Sequence, residues 1–396
     1  MRRRRSRSSS NGSTPFMSHA PSPALSRRQH AVRDALASRG LDAIVVTSLP
    51  NIQYLTNFAG SSAILVVTPD RLVFITDFRY LTVLAEAAGT PHACPGIEIV
   101  TVEGSYDGTL ATFLIGQKWR RIGFEAAHLT VDRYGWLTKT IAAAGPPVAE
   151  LVATERVVEK ARVRKDAYEI ATLREAARRL SAVASAMTAD VRRGLTEREV
   201  ALAIDRRVRL AGFERPAFDT IVASGPNAAL PHARPGERTI SEGDLVVLDF
   251  GGAYDSYCVD LTRTVSVGPA SARAREVHSA VREARDRAIA AVAPGRSRFD
   301  IDAAARDTLG RHGLGDAFGH GTGHGLGLEV HEDPRISRRQ PDVDTEDEML
   351  RSGMIFTIEP GAYLPGWGGV RIEDDVLVTD DGVEVLTSVP TDLIEV

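Results

Sequence analysis

The sequence predicts an α/β domain followed by an α+β domain, and three observations carry this expectation. The chain has 396 residues, enough for two domains that each bury a core. As far as about Leu151, short apolar runs of strand character alternate with stretches of helical period, the pattern of an α/β layer structure. Beyond that point a pair of helical stretches lies between strand-like runs, which indicates helices packed on a mostly antiparallel, curved sheet.

In chain order, Ser26 to Arg39 reads as a helix closed by Gly40. Ala43 to Val46 is a short buried strand. Ala63 to Val67 and Leu72 to Thr76 are two strands joined by a turn at Thr68-Pro69-Asp70. A helix near Tyr80 to Ala88, a strand near Ile97 to Val102, a helix near Gly108 to Ile115, a strand at Arg121 to Phe124 and a helix near Asp132 to Ala143 complete the first domain. Thr154 to Arg164 reads as a charged connector. Asp166 caps a long helix to about Ala189, in which Ile170, Leu173, Ala176, Ala177 and Leu180 recur at helical spacing. Further helices are expected from Thr196 to Leu210, from Ala272 to Val292 before Pro294-Gly295, and from Arg298 to His312, the last capped by Ser297 or Asp300. Strands are expected at Leu245 to Phe250, Tyr257 to Val265, Met354 to Ile358 and Val376 to Val378. The expected limits are a tail at 1–23, a first domain at 24–155 and a second at 156–396.

Composition excludes several classes. The hydrophobic share of 43% and charged share of 25% are ordinary for a globular protein. No apolar run approaches the roughly 18 residues of a membrane span. A net charge of −4 gives no general attraction to nucleic acid. Only Cys94 and Cys258 are present, too few for a disulfide framework and consistent with a reducing, cytoplasmic setting. The Arg/Ser-rich start, Arg2 to Arg5 with Ser8 to Ser10, lacks the apolar core of a secretory signal. It reads as a disordered tail, with a nucleic-acid arm as the alternative and Met17 as an alternative start.

The chemistry gathers between Asp249 and Glu373, where acidic residues sit inside apolar, strand-like runs and a lone charge would be costly. Asp249 and Asp260 lie on two segments that read as a hairpin turning at Gly252 to Ser256. Alternate residues of a strand share a face, so the two carboxylates can meet across it. Two such groups cannot both stay ionised without a partner. Alternatively, one is a turn residue and the other pairs with Arg263. His320 and His324 fall in a run with glycines at 319, 321, 323, 325 and 327, which permit close backbone approach. His324 is the candidate ligand, and His320 reads as a packing or supporting histidine. Glu359 ends the run from Met354 and is followed by Pro360. Glu373 closes Val370-Arg371-Ile372, whereas Asp374 and Asp375 also fit a solvated acidic turn. Asp249, Asp260, His324, Glu359 and Glu373 together offer four carboxylates and one imidazole. That set suits two divalent cations of the Mn²⁺ kind, which activate a water and polarise a carbonyl.

Leu248-Asp249-Phe250-Gly251, Asp260-Leu261-Thr262-Arg263-Thr264, Gly321-Thr322-Gly323-His324-Gly325, Ile358-Glu359-Pro360-Gly361 and Gly369-Val370-Arg371-Ile372-Glu373-Asp374 occur in one order. This arrangement resembles the metal set of the methionine aminopeptidase, aminopeptidase P and prolidase superfamily with the pita-bread fold. Asn51-Ile52-Gln53-Tyr54-Leu55 and Thr76-Asp77-Phe78-Arg79-Tyr80 resemble the creatinase/prolidase N-terminal domain. The resemblance covers roughly residues 24–396. It implies that Asp249 chelates one metal, that Asp260 and Glu373 bridge both, and that His324 and Glu359 complete the other. Glu359 would also accept the proton of the attacking water. By the same resemblance His232 would hydrogen-bond the scissile amide, His331 would steady the oxyanion, and Arg371 would stand beside the metals as a group of the proline-specific branches.

The creatinase-like N-terminal domain argues against methionine aminopeptidase, and the complete ligand set argues against the metal-free creatinases. The expected activity is release of an N-terminal residue from a peptide with proline second, with two Mn²⁺ (Co²⁺ or Zn²⁺ as alternatives). An Xaa-Pro dipeptidase is the second reading and a non-catalytic binding protein the third. Relatives of this kind are usually homodimers, and one is expected here.

Overall fold

The computed structural model describes residues 17–146, 148–339 and 348–396. The chain divides after Ala161 into two units, six residues beyond the expected limit. The Arg/Ser stretch at 1–16 lies outside the described residues. The expected tail nevertheless ends too late at residue 23. The Ser18 N–H donates to the Asn57 carbonyl at 2.8 Å, Asn57 Nδ2 donates to Ala20 O at 2.7 Å, and the first helix already starts at Ser22.

The first unit runs α1 (Ser22–Arg39), β1 (Ala43–Val46), α2 (Leu49–Thr56), β2 (Ile64–Val67), β3 (Leu72–Thr76), α3 (Phe78–Ala87), β4 (Ile97–Thr101), α4 (Tyr106–Ile115), β5 (Arg121–Glu125), α5 (Val131–Ala143) and β6 (Glu150–Thr154). Gly40 ends α1 with φ +59°, the left-handed conformation that glycine adopts without strain. Among the described residues the strands form one sheet in the order β4-β3-β2-β1-β5-β6. It is mixed, because β2 pairs antiparallel with both β1 and β3, the first connection passing through α2 and the second a tight turn, while β4, β5 and β6 arrive through helices and pair in parallel. Ile64, Val66, Val73 and Ile75 pack there against Leu110, Leu114, Leu137 and Ile141. The expected connector after Thr154 is instead a helix, α6 (Val157–Val163). Val157 and Val158 are buried, so apolar burial outweighs the local charge.

The second unit follows with α7 (Ala167–Met187), α8 (Glu197–Leu210), β7 (Arg215–Pro216), β8 (Ile221–Ser224), β9 (Leu245–Tyr254), β10 (Tyr257–Ser266), α9 (Ala272–Ala290), α10 (Arg298–Arg311), β11 (Gly323–Gly325), β12 (Glu332–Ile336), β13 (Ile355–Ile358), β14 (Gly361–Leu364), β15 (Gly368–Arg371), β16 (Asp374–Val378), β17 (Val383–Val385) and β18 (Ile394–Glu395). The expected cap of α7 is reciprocal, Asp166 with Glu169, and α8 opens in the same way with Thr196 and Glu199. Ser297, not Asp300, caps α10.

Among the described residues the sheet comes in two five-stranded parts, β18-β10-β9-β7 with β8 also on β9, and β12-β11-β13-β16-β17. Every pairing is antiparallel except β10 with β18. Side chains take over the ladder where the parts meet: the Asp260 N–H donates to Asp375 Oδ2 at 3.1 Å. The β9–β10 hairpin is longer than expected. It turns on Asp255 and Ser256, with φ +46° and +70°, a two-residue turn with both central residues left-handed. One core cluster brings Val277, Val281 and Ala284 of α9 and Ile301 and Leu309 of α10 together with Phe356, Ile358 and Val376, so the helix pair backs the second sheet. No helix among the described residues is long and apolar enough to cross a membrane.

Candidate metal centre

Asp249 of β9 lies opposite Thr262 of β10, and Asp260 lies opposite Gly251. The two carboxylates are therefore diagonal neighbours on one face of the hairpin. His324 is at the middle of β11. A Cβ on Gly323 would lie 1.8 Å from Thr357 O, so only glycine lets β11 approach β13 this closely. The Thr357 hydroxyl then accepts from the His324 N–H at 3.1 Å and donates to Glu359 Oε1 at 3.4 Å. His324 Nδ1–H donates to Gly325 O at 3.1 Å, which leaves Nε2 as the ring atom that carries a lone pair.

That nitrogen is 3.5 Å from Glu359 Oε1 and 3.9 Å from Asp260 Oδ2. Ligand atoms of Asp260, His324 and Glu373 all lie within 4.8 Å of one another. Asp249 faces the same cavity, and one of its oxygens is paired with Arg371 Nη2. All five acidic and imidazole residues expected from the sequence line this cavity of about 560 Å³, together with His232, His331 and Arg371.

The electrostatics favour a cation. Burial first, and then their mutual repulsion, pushes Asp260 and Glu373 well above the usual carboxylate range. Burial lifts Glu359 to about 7 against the pull of Arg371. Burial also lowers His324 to about 3, helped by the charge of His331, whose ring centroid is 4.2 Å away. Glu373 Oε2 accepts the Thr262 hydroxyl at 2.6 Å, but Oε1 is buried with no hydrogen-bond partner. An orphaned carboxylate oxygen among like charges fits hard divalent cations with oxygen-rich ligation.

Two side-chain expectations are corrected. Asp374 and Asp375 are not a solvated turn but are fully buried in β16. Asp374 takes Arg263 at 2.8 Å and Arg285 at 2.6 Å, so Arg263 does not serve Asp260. Arg371 reaches Asp249 and donates to the Tyr363 hydroxyl at 2.8 Å, which in turn meets His320 Nε2 at 2.8 Å. His320 and Arg335 also line the cavity. Arg335 is directly across the ladder from His324, a proximity visible only once β11 and β12 are paired.

This constellation on this fold defines a metallo-exopeptidase. Residues 171–380 match metallopeptidase family M24 and residues 28–164 match the creatinase/prolidase N-terminal domain. The chain belongs to metallopeptidase family M24. An Xaa-Pro dipeptidase from Bacillus anthracis superposes with a TM-score of 0.87 and 37% identity over 94% of this chain and 100% of that one. An X-Pro aminopeptidase from Thermotoga maritima superposes with a TM-score of 0.82 and 31% identity over 93% and 99%. An Xaa-Pro dipeptidase of Pyrococcus horikoshii is 31% identical over 93% of this chain and 99% of its own length.

Proposed function

We propose that the protein hydrolyses Xaa-Pro dipeptides, with release of the first residue from longer Xaa-Pro peptides as the second reading. Arg335 is the observation that tips the choice toward dipeptides. Its guanidinium stands exposed on the cavity wall and makes no hydrogen bond or ion pair among the described residues. A dipeptide presents a free carboxylate just beyond proline, where a longer peptide presents an amide, and a planar guanidinium pairs with a carboxylate in two parallel bonds. Two of the relatives above are named dipeptidases, which supports the same choice, and the aminopeptidase among them keeps the second reading open.

In this reading Asp249, Asp260, His324, Glu359 and Glu373 hold two divalent ions, Mn²⁺ foremost. When bound, the ions supply Lewis-acid charge and acidify a water. Glu359, its carboxylate fixed by Thr357, would take up the proton of the attacking water. His232 donates to the peptide group before proline, and His331 holds the oxygen on which negative charge develops. Arg371 orients Asp249 and, through Thr262 at 3.2 Å, Glu373.

The test compares turnover of Ala-Pro, Ala-Pro-Ala-Ala and Met-Ala-Ser by the Mn²⁺-loaded protein. Fast cleavage of Ala-Pro alone supports the dipeptidase. Equal cleavage of the tetrapeptide selects the second reading, and cleavage of Met-Ala-Ser alone sinks both.

A further inference from the structure

We infer that Glu197 is the positioning residue for His232, a clasp that closes the loop on which this histidine is carried; the inference rests on His232 facing the substrate as proposed above. Glu197 is the first residue of α8 and is completely buried. Among the described residues it forms no direct ion pair: its own partners are hydrogen-bond donors, and the nearby Arg238 guanidinium reaches it only through the field and through the Ser224 hydroxyl, to which it donates at 2.6 Å. Oε1 accepts from the Ser224 N–H and the Ser224 hydroxyl, both at 2.8 Å, and from Asn227 Nδ2 at 3.0 Å. Oε2 accepts from Asn227 Nδ2 and from the Gly236 N–H, each at 3.2 Å. The helix start answers in the other direction: the Glu197 and Arg198 N–H groups donate to the carbonyls of Arg238 and Gly236, both at 3.1 Å.

One carboxylate thus ties Ser224, where β8 ends, to Gly236, beyond the histidine. Between them lie the short turn Gly225–Ala229 and the Pro231-His232-Ala233 corner. The His232 ring has no hydrogen bond of its own among the described residues, so its place over the cavity depends on the backbone that carries it. Pro231 O takes Arg371 Nη1 at 3.2 Å, and the Ala233 N–H donates to Leu230 O at 3.1 Å. Both contacts set the corner only while the loop is closed behind it. A buried carboxylate without a direct ion pair is costly unless its acceptor sites are filled. Here they are filled from the two sides of a single loop. Displacing a catalytic group by about 1 Å costs on the order of 10²-fold in rate, which gives the clasp a functional weight beyond folding.

Glu197→Gln tests this asymmetrically. The amide oxygen keeps the Ser224 contacts and the 3.0 Å Asn227 contact, while the amide nitrogen faces the Gly236 N–H and the longer limb of the Asn227 contact as a further donor, so the far end of the loop is the part that loses its tie. The expected result is hydrogen exchange at the Gly236 amide about 10-fold faster or more, unchanged exchange at Ser224, two metal ions still bound, and kcat for Ala-Pro lower by about 10²-fold. In a His232→Ala background the same substitution should change kcat by less than about twofold. Asn227→Ala removes one donor from the same carboxylate at a half-buried position and should lower kcat several-fold by the same route. The inference is overturned if Glu197→Gln frees Gly236 without loss of kcat, or if it costs the same factor with and without His232. Full turnover by His232→Ala alone would overturn the role of His232 itself, a failure that the single variant identifies.

Discussion

Glu125 in the first unit and Glu373 in the second are the same residue type at the same depth, 5% and 1% exposed, and each has a carboxylate neighbour, Glu159 in the first case, yet only Glu125 is ringed by donors. Around Glu125 donors converge: the N–H groups of Thr47 and Ser48 at 2.7 and 2.8 Å, and Asn51 Nδ2 at 2.6 Å. Around Glu373 carboxylates converge, and one of its oxygens finds no donor. Where the chain supplies hydrogen bonds, a buried acid organises structure, here the start of α2. Where it supplies further acids, the compensating charge must come from outside the chain. Burial alone therefore does not mark a ligand; an unmet acceptor beside like charges does.

The strongest way to break this contrast is to remove a residue of the acidic set. Asp260→Ala or Glu373→Ala should lose both divalent ions and reduce Ala-Pro hydrolysis to background. Either variant keeping two ions and normal turnover, by metal analysis and kinetics, would end the bridging assignment. His331→Ala should lower kcat by about 10²-fold with metal content intact, and loss of metal would mean that it belongs with the ligands. Arg335→Ala should raise KM for Ala-Pro by roughly 10-fold, the size of one charge-assisted hydrogen bond, with kcat nearly unchanged. An unchanged KM would move the carboxylate contact elsewhere.

A change of sign sharpens the contrast further. In chelator-treated protein, Glu125→Gln should cost about 1–3 kcal/mol of stability, because a buried donor faces donors. Glu373→Gln should stabilise or be neutral, because one of several repelling charges is gone. Denaturant unfolding that destabilises both alike would void the distinction. A pH-dependent effect concerns Glu332, whose carboxylate pairs with Arg162 and with Lys165 at 3.2 Å. Burial would raise it, but the two cations outweigh burial and hold it at about 2. A depressed folded-state value contributes stability above the unfolded-state carboxylate value of about 4.3 and loses it as pH falls toward 2. Glu332→Gln should therefore be less stable than wild type at pH 7 and approach it near pH 2.

The sequence showed most of what is regular. Apolar periodicity located the long helices, and alternating glycines pointed to the close approach around His324. The four acidic candidates could be read because each interrupts or ends an apolar run, and His324 because it stands among those glycines. The short strands β7, β8 and β14 could not, since two to four residues carry no period and are held by their neighbours. Asp375 resembled an acidic turn because Asp374-Asp375 is polar in sequence. Its burial follows from β16 packing between β13 and β17. Glu197 looked like part of a helix start, since its contacts at 224, 227 and 236 leave no local trace.

Calorimetric titration of the chelator-stripped protein with Mn²⁺, followed sample by sample for Ala-Pro hydrolysis, tests the central claim most directly. Two equivalents should bind per chain, with hydrolysis rising as they bind and both lost in Glu373→Ala. Wild-type protein that takes up no ion, or that cleaves Ala-Pro equally well without one, would contradict it.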